Sequence, residues 1–342
     1  MLSIYFCFRR HSGVGRPCNW FDPVANDPLQ ESAAWRGRQR RCILRIQEAM
    51  RSVGMKRPDA DNDMRRRLYA LASIALFFII LEFGFTAAHA ETFKFESQTG
   101  LKSYTATIGG ELSFPQGRGP FPVVILLHAC GGLSPTDIAS LSAHARSLAK
   151  AGFATYILDS FSARGLAGGK VCKGGGEASE FRLDDLFNAR DALQQHPKVD
   201  KKKFFVVGQS HGAGVALWAA VNLAKRERFR AVAAFYPNCR GVLFSVGLKS
   251  PAIVFAGAKD DWTPTPVCEE AKRRERAPGE EFELIVYPNA YHGFDQQRRD
   301  EYLGHVMAYD EQATANSQKK MQEFFLRYLR DESPSSAKSG SN

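Results

Sequence analysis

Gly208-Gln209-Ser210-His211-Gly212 sets a serine between two glycines at the junction of two different sequence patterns. Before it, Lys203 to Gly208 is a β-branched and aromatic run; after it, Ala213 to Val221 is small and apolar. This predicts a strand, a sharp turn at Ser210 and a helix. A Gly-x-Ser-x-Gly so placed reads as a nucleophile elbow. Its glycines leave room where the turn is too tight for side chains, and the serine hydroxyl is lifted above the end of a parallel sheet. The five-residue pattern alone is short enough to arise by chance; the strand before it and the helix after it set it apart.

A serine hydroxyl is a poor nucleophile until a base takes its proton, so the elbow calls for a histidine and a carboxylate. On elbow-bearing folds they follow in the order serine, acid, histidine, each on a loop after a later strand. The apolar run Ala252–Ala256 leads into Gly257-Ala258-Lys259-Asp260-Asp261-Trp262-Thr263-Pro264, and the run Phe282–Val286 into Tyr287-Pro288-Asn289-Ala290-Tyr291-His292-Gly293-Phe294. His292 is therefore the expected base. Asp260 and Asp261 cannot both orient it, and the spacing to Pro264 favours Asp260. Among the other histidines beyond residue 90, His144, His196 and His305 are expected at the surface, in or beside helices. His128 ends a strand and reads as a supporting hydrogen-bonding group, and His211 matters more for its backbone N–H than for its ring.

Attack on a carbonyl puts charge on the substrate oxygen, which needs donors already in place. One expected donor is the His211 N–H. The other comes from the turn His128-Ala129-Cys130-Gly131-Gly132, with Cys130 favoured. Read blandly, that turn is a glycine-rich connector, but its place after the central apolar strand favours the functional reading.

The segments Gly208-Gln-Ser-His-Gly212, Gly257-Ala-Lys-Asp260 with Pro264, and Tyr291-His292-Gly293-Phe294 together resemble the dienelactone hydrolase family of α/β-hydrolases, over about residues 91–330. The resemblance implies hydrolysis of esters or lactones with no metal and no cofactor. Dienelactone hydrolase proper carries a cysteine nucleophile where this chain has Ser210, so dienelactone itself is not implied as the substrate. Asp159-Ser160-Phe161-Ser162-Ala163-Arg164-Gly165 resembles a segment of exported members. It puts Arg164 forward as a partner for a substrate carboxylate, with a structural salt bridge as the alternative. Trp262, beside the acid pair, is a second candidate substrate contact.

The elements needed to position these residues alternate along the chain. Phe93–Glu96 and Tyr104–Phe114, the latter split at Gly109-Gly110, read as a leading antiparallel pair. Pro122–Leu127 reads as a strand buried on both faces, Asp137–Lys150 as a helix capped by Thr136 or Asp137, and Phe153–Leu158 as the next strand. Helices at Glu180–Gln195, Val267–Arg276 and Asn316–Leu329 and a strand at Ala231–Tyr236 complete the set. Strict alternation implies one doubly wound α/β domain with a mostly parallel sheet. Gly168–Gly176 lacks the Gly-Lys-Ser/Thr ending of a phosphate loop, and reads instead as a mobile loop at the strand ends where such folds bind ligands.

The first ninety residues do not continue this pattern. Residues 1–63 show no sustained period and read as an upstream extension or a disordered segment. Met64-Arg65-Arg66-Arg67, an apolar run from Leu68 to Phe85, and Ala88-His89-Ala90 have the three parts of a secretory signal peptide, which predicts a mature start at Glu91. The alternative keeps residues 68–85 as a membrane anchor. The first 90 residues hold 14 Lys and Arg against 8 Asp and Glu, so the rest of the chain keeps only +4 of the net +10. Short runs such as Lys201-Lys202-Lys203 then read as solvated faces, and nucleic acid is excluded as a partner.

Of the 7 cysteines, Cys130, Cys172, Cys239 and Cys268 remain after the leader. They lack zinc-site spacing, and an exported domain suits two disulfides, Cys130–Cys172 and Cys239–Cys268, formed between loops beyond the strand ends. The Ser-rich tail after Asp331 is expected to be disordered. The sequence thus predicts a periplasmic or secreted serine hydrolase acting on a small ester or lactone. A peptidase or acyltransferase on the same three residues, and a silent membrane-anchored binding module, are the rival readings.

Overall fold

The structure is a computed structural model and describes residues 89–100, 104–174, 178–221, 227–240, 247–274 and 280–330. The upstream extension, most of the expected signal peptide and the C-terminal tail lie outside the described residues. All the described residues belong to one unit.

In chain order the strands are β1 (His89–Thr99), β2 (Tyr104–Phe114), β3 (Phe121–Leu127), β4 (Ala154–Asp159), β5 (Val199–Gln209), β6 (Val232–Phe235), β7 (Ala252–Gly257) and β8 (Phe282–Tyr287). They form an eight-stranded sheet in the order β1-β2-β4-β3-β5-β6-β7-β8. β1 and β2 are antiparallel, β2 meets β4 antiparallel, and every later pairing is parallel. The main helices are α1 (Pro135–Lys150), α2 (Ala178–Leu193), α3 (His211–Val221), α4 (Pro266–Arg273) and α5 (Glu311–Arg330).

Two cores follow directly from the apolar strands. Along β3, Val123, Ile125 and Leu127 face one core while Val124 and Leu126 face the other. Phe204 and Val206 against Phe205 and Val207 on β5, and Val254 against Ile253 and Phe255 on β7, sort the same way. The first core is closed by α2, α3 and α4, and the second by α1 and α5. A strand with a helix layer on each face has no solvated side, so it loses the polar alternation of a surface sheet. The fold is the expected single doubly wound α/β domain.

Local differences from the sequence reading have physical causes. β2 runs unbroken through Gly109-Gly110. A Cβ on Gly110 would strike the Ile157 carbonyl and the Tyr156 ring, so this glycine permits close strand approach instead of breaking the strand. α1 starts at Pro135, and its cap is Ser134, whose Oγ accepts from the Asp137 N–H at 3.2 Å. α5 begins at Glu311, a turn and a half earlier than its apolar stripe indicates. A small hairpin, β9 (Arg299–Tyr302) and β10 (His305–Ala308), was not anticipated at all.

Candidate active site

Ser210 stands between the end of β5 and the start of α3 with φ at +51°. A left-handed backbone is costly for a residue with a Cβ and persists only where its surroundings force it. Here the neighbouring glycines show the forcing. A Cβ on Gly208 would collide with the Gly212 carbonyl, and one on Gly212 would lie 2.5 Å from the carbonyl oxygens of Leu127 and His128. The elbow is therefore pressed against the end of β3, and only glycine fits on either side of the serine. The N-terminus of α3 lies directly behind it and brings the positive end of the helix dipole to the site.

The loops after β7 and β8 bring the other two side chains to this point. His292 Nε2 lies 3.0 Å from Ser210 Oγ, and His292 Nδ1 lies 2.8 Å from Asp260 Oδ2. Asp260 also accepts from the Trp262 and Thr263 N–H groups at 2.9 and 2.8 Å and from the Thr263 hydroxyl at 2.8 Å. Burial would raise its pKa. The His292 hydrogen bond and charge, with the Thr263 donors, outweigh burial and hold the carboxyl below its ordinary value. Asp261 turns away and pairs with His305 at 3.3 Å. The Thr263 hydroxyl, which the sequence reading passed over, also lies 3.0 Å from the Tyr236 carbonyl, so its one proton is shared between that oxygen and Asp260.

A second carboxylate lies behind the first. Asp295, three residues beyond His292, is fully buried and accepts from Tyr236 Oη at 2.6 Å and Gln209 Nε2 at 2.7 Å, with His144 Nε2 at 2.6 Å. These partners come from the end of β6, the residue before Ser210, and α1. Tyr236 packs its ring against His292, centroids 4.7 Å apart, and takes a positive φ of 43°. His144 is thus buried, not at the surface as expected. Its spacing from Leu141 and Leu148 already places it on the buried face of α1.

Between these loops and the turn after β3 lies a cavity of about 270 Å³, bordered by Ser210, His292, Cys130, Tyr236, Trp262 and Tyr302, among others. Trp262 stacks on His305 of β10, centroids 4.7 Å apart, so the hairpin forms one wall of the site. His305 is therefore a strand residue of the rim, and not beside a helix. His196 sits just beyond α2 and pairs with Glu91 at 3.1 Å. His128 lies outside the His292–Ser210 pair: its Nδ1 donates to the Ala129 carbonyl at 2.7 Å.

The four cysteines are paired as expected, Cys130 with Cys172 and Cys239 with Cys268. The first bridge ties the glycine-rich loop to the turn after β3, helped by the Gly169 N–H donating to the Gly131 carbonyl at 3.3 Å. Up to Gly174 the loop is thus held at two points, the restraint on its glycines that the expected bridge implies.

Arg164 corrects one expectation. Its guanidinium grips both oxygens of Asp185, at 2.8 and 2.9 Å, and donates to the Ser160 carbonyl at 2.9 Å. It does not line the cavity, and the structural salt bridge weighed as the alternative accounts for it. The arginine that does reach the site's backbone is Arg182 on α2, fully buried and not singled out by sequence. Its Nη2 donates to the His128 carbonyl at 2.7 Å and its Nη1 to His211 Nδ1 at 2.7 Å. Among the described residues no group of three His, Cys, Asp or Glu is placed to hold a metal ion.

Residues 108–329 match the sequence model of the dienelactone hydrolase family. The chain belongs to that family. Membership carries the class of reaction, hydrolysis of a carboxylic ester or lactone. A search of curated proteins finds no significant match. Among solved structures, a dienelactone hydrolase-like promiscuous phosphotriesterase from metagenomic libraries is similar at 22% identity, covering 71% of this chain and 99% of that one, with a TM-score of 0.54. A dienelactone hydrolase from Anabaena variabilis is similar at 20% identity, covering 70% of this chain and 99% of that one, with a TM-score of 0.51. At such identities the likeness is one of fold.

Proposed function

We propose that the chain is an exported serine hydrolase that cleaves a small carboxylic ester or lactone through an acyl-Ser210 intermediate. The observation that carries this reading is the continuous hydrogen-bonded line Ser210 Oγ–His292 Nε2 and His292 Nδ1–Asp260, seated on an elbow at positive φ. Ser210 Oγ attacks the carbonyl carbon as His292 Nε2 takes its proton. Asp260 keeps the other ring proton on Nδ1 and stabilises the imidazolium that forms.

The carbonyl oxygen becomes an oxyanion, held by the N–H groups of His211 and Cys130. His292 then returns the proton to the leaving oxygen, the C–O bond breaks and the alcohol departs. A water, deprotonated by His292, attacks the acyl carbon, and the second collapse frees the acid and restores Ser210. A lactone follows the same course, with the alcohol still tethered to the acyl group. A cavity of about 270 Å³ suits a small acyl group flanked by Trp262 and Tyr302.

Export is supported by two disulfides, which persist in oxidising compartments. The basic, apolar and Ala-x-Ala parts of residues 64–90 agree with it. Among the described residues no helix is long and apolar enough to cross a membrane.

The test is labelling with an active-site fluorophosphonate, together with turnover of a panel of p-nitrophenyl esters and lactones. We expect one label per chain on Ser210, and Ser210→Ala to lose both label and turnover by several orders of magnitude. A Ser210→Ala protein that keeps near-wild-type activity would end the elbow reading. A wild type that neither labels nor turns over any ester would leave the silent binding module.

A further inference from the structure

Arg182 poses a physical problem that the proposed mechanism leaves unanswered. It is fully buried, and among the described residues no carboxylate lies within ion-pair distance of it. The nearest acid on its own helix, Asp185, already has both oxygens on Arg164. A buried cation without an anionic partner is expensive, and an apolar side chain of similar length would fill the space at lower cost. Stability alone gives no reason for it.

What the guanidinium touches supplies the reason. Its two terminal nitrogens each hold a different part of the site: Nη1 donates to His211 Nδ1, and Nη2 to the His128 carbonyl, both at 2.7 Å. His211 directly follows the nucleophile and opens α3, while His128 opens the turn that carries Cys130. The guanidinium face rests on Phe161, 4.8 Å from the ring centroid, and Phe161 also packs edge-on against His128 at 4.6 Å. A planar fork of fixed geometry, clamped on one face, sets the distance between its two acceptors.

We propose that Arg182 is a positioning residue for oxyanion stabilisation, locking the elbow and the turn after β3 at their working separation and holding a positive charge behind both. This rests on the serine-hydrolase reading above. Its charge state fits. Burial lowers its pKa to about 9, with Asp185, Asp159 and Asp137 pulling the other way from a distance, so the guanidinium stays protonated at neutral pH. Burial first, and Arg182 second, push His211 down to about 3, so its ring stays neutral and Nδ1 can accept. Negative charge on the substrate oxygen develops only as the transition state forms, so both the spacing and the charge act on turnover and not on ground-state binding.

The experiment compares Arg182→Met and Arg182→Lys with the wild type in the full chain. It measures melting temperature, kcat and KM for p-nitrophenyl acetate, and inhibition by a small trifluoromethyl ketone, whose adduct with Ser210 carries the oxyanion. For Arg182→Met the expected result is a fall in kcat of about 10- to 100-fold, somewhat less than the loss of a whole oxyanion donor. KM should stay within about twofold, and ketone affinity should weaken by the same factor as kcat. Arg182→Lys keeps the charge without the fork and should fall between the two. If Arg182→Met does not fold, Arg182→Lys carries the same comparison.

A folded Arg182→Met with kcat within threefold of wild type overturns the inference, as does a folded Arg182→Lys at that level where Arg182→Met does not fold. So does a fall in kcat that leaves the ketone's affinity unchanged, or a failure of both variants to fold, which would make the residue structural only. A wild type that turns over no ester points instead to failure of the hydrolase reading, and the inference falls with it.

Discussion

Asp260 and Asp261 are neighbours in sequence and opposites in environment. Asp260 is buried, receives two N–H groups and a hydroxyl, and faces His292, whereas Asp261 is exposed and faces His305. On the proposed mechanism, Asp260→Asn should replace an acceptor with an amide, leave His292 in the wrong tautomer, and lower kcat by about four orders of magnitude, by comparison with Ser-His-Asp enzymes. Asp261→Asn should stay within a few-fold. Steady-state kinetics on one activated ester decides, and the reverse ranking would move the acid to Asp261. At this scale the sequence was most legible where chemistry dictates order. Ser210, an acid and His292 each follow a strand, and that order is visible without coordinates. His144 was misread, and Arg164 was left between two roles, because a polar side chain's partner comes from a distant element, Asp295 in one case and Asp185 in the other. Asp295, Tyr236 and Arg182 were not found at all, since nothing in their immediate sequence distinguishes a buried polar residue from a solvated one.

Among the elements, the β9–β10 hairpin escaped sequence analysis for a definable reason. Its turn residues, Leu303 and Gly304, both take positive φ, at 53° and 82°. A two-residue turn of this kind is ordinarily announced by Asn-Gly or Asp-Gly, and leucine hides it. The first strand, Arg-Asp-Glu-Tyr, shows no apolar alternation either, because three of its four residues are exposed. The glycine-rich loop, by contrast, was legible through its cysteine. Cys130–Cys172 and Cys239–Cys268 close sequence separations of 42 and 29 residues. On the chain-entropy account each stabilises the fold by about 3–4 kcal/mol. Protein recovered from its native host should begin at or near Glu91 and, denatured without reductant, show no titratable thiol. N-terminal sequencing and thiol titration check this together. Cleavage there would remove only His89 and Ala90 from the edge strand β1, leaving its pairing with β2 from Glu91↔Leu112 onward. Four reactive thiols, or a chain that keeps residues 64–90 and needs detergent for extraction, would contradict the reading of export as a cleaved, oxidised protein.

For the molecule as a whole, the alternation of apolar strands and helices was enough to predict a doubly wound sheet. It was not enough to give the strand order, because nothing local says that β2 lies beside β4 and not beside β3. The same burial that builds the two cores should appear as a pH dependence of stability. His128 and His211 are both held below the ordinary histidine range, burial being the larger cause and the Arg182 charge the next. Above about pH 6.5 neither histidine is protonated in either state and they contribute no slope. As pH falls below that value, the unfolded chain takes up protons that the folded chain refuses. Stability therefore falls toward acid, and for His211 this continues until about pH 3. Asp260 and Asp295, whose carboxyls are held below their ordinary values, act in the same direction lower down. Their stabilisation is present above about pH 4, where the unfolded carboxyls ionise, and is lost as pH falls through their folded values. Guanidinium unfolding of the disulfide-intact protein between pH 8 and 4.5 should show a plateau down to about 6.5. Below it the loss should be about 1 kcal/mol per pH unit for each histidine. His211→Gln, whose amide oxygen still accepts from Arg182, should make that limb shallower without moving the plateau's edge. Stability that stays level from pH 7 to 4.5 would mean that both rings take up protons inside the fold, and that the buried cation does not govern them.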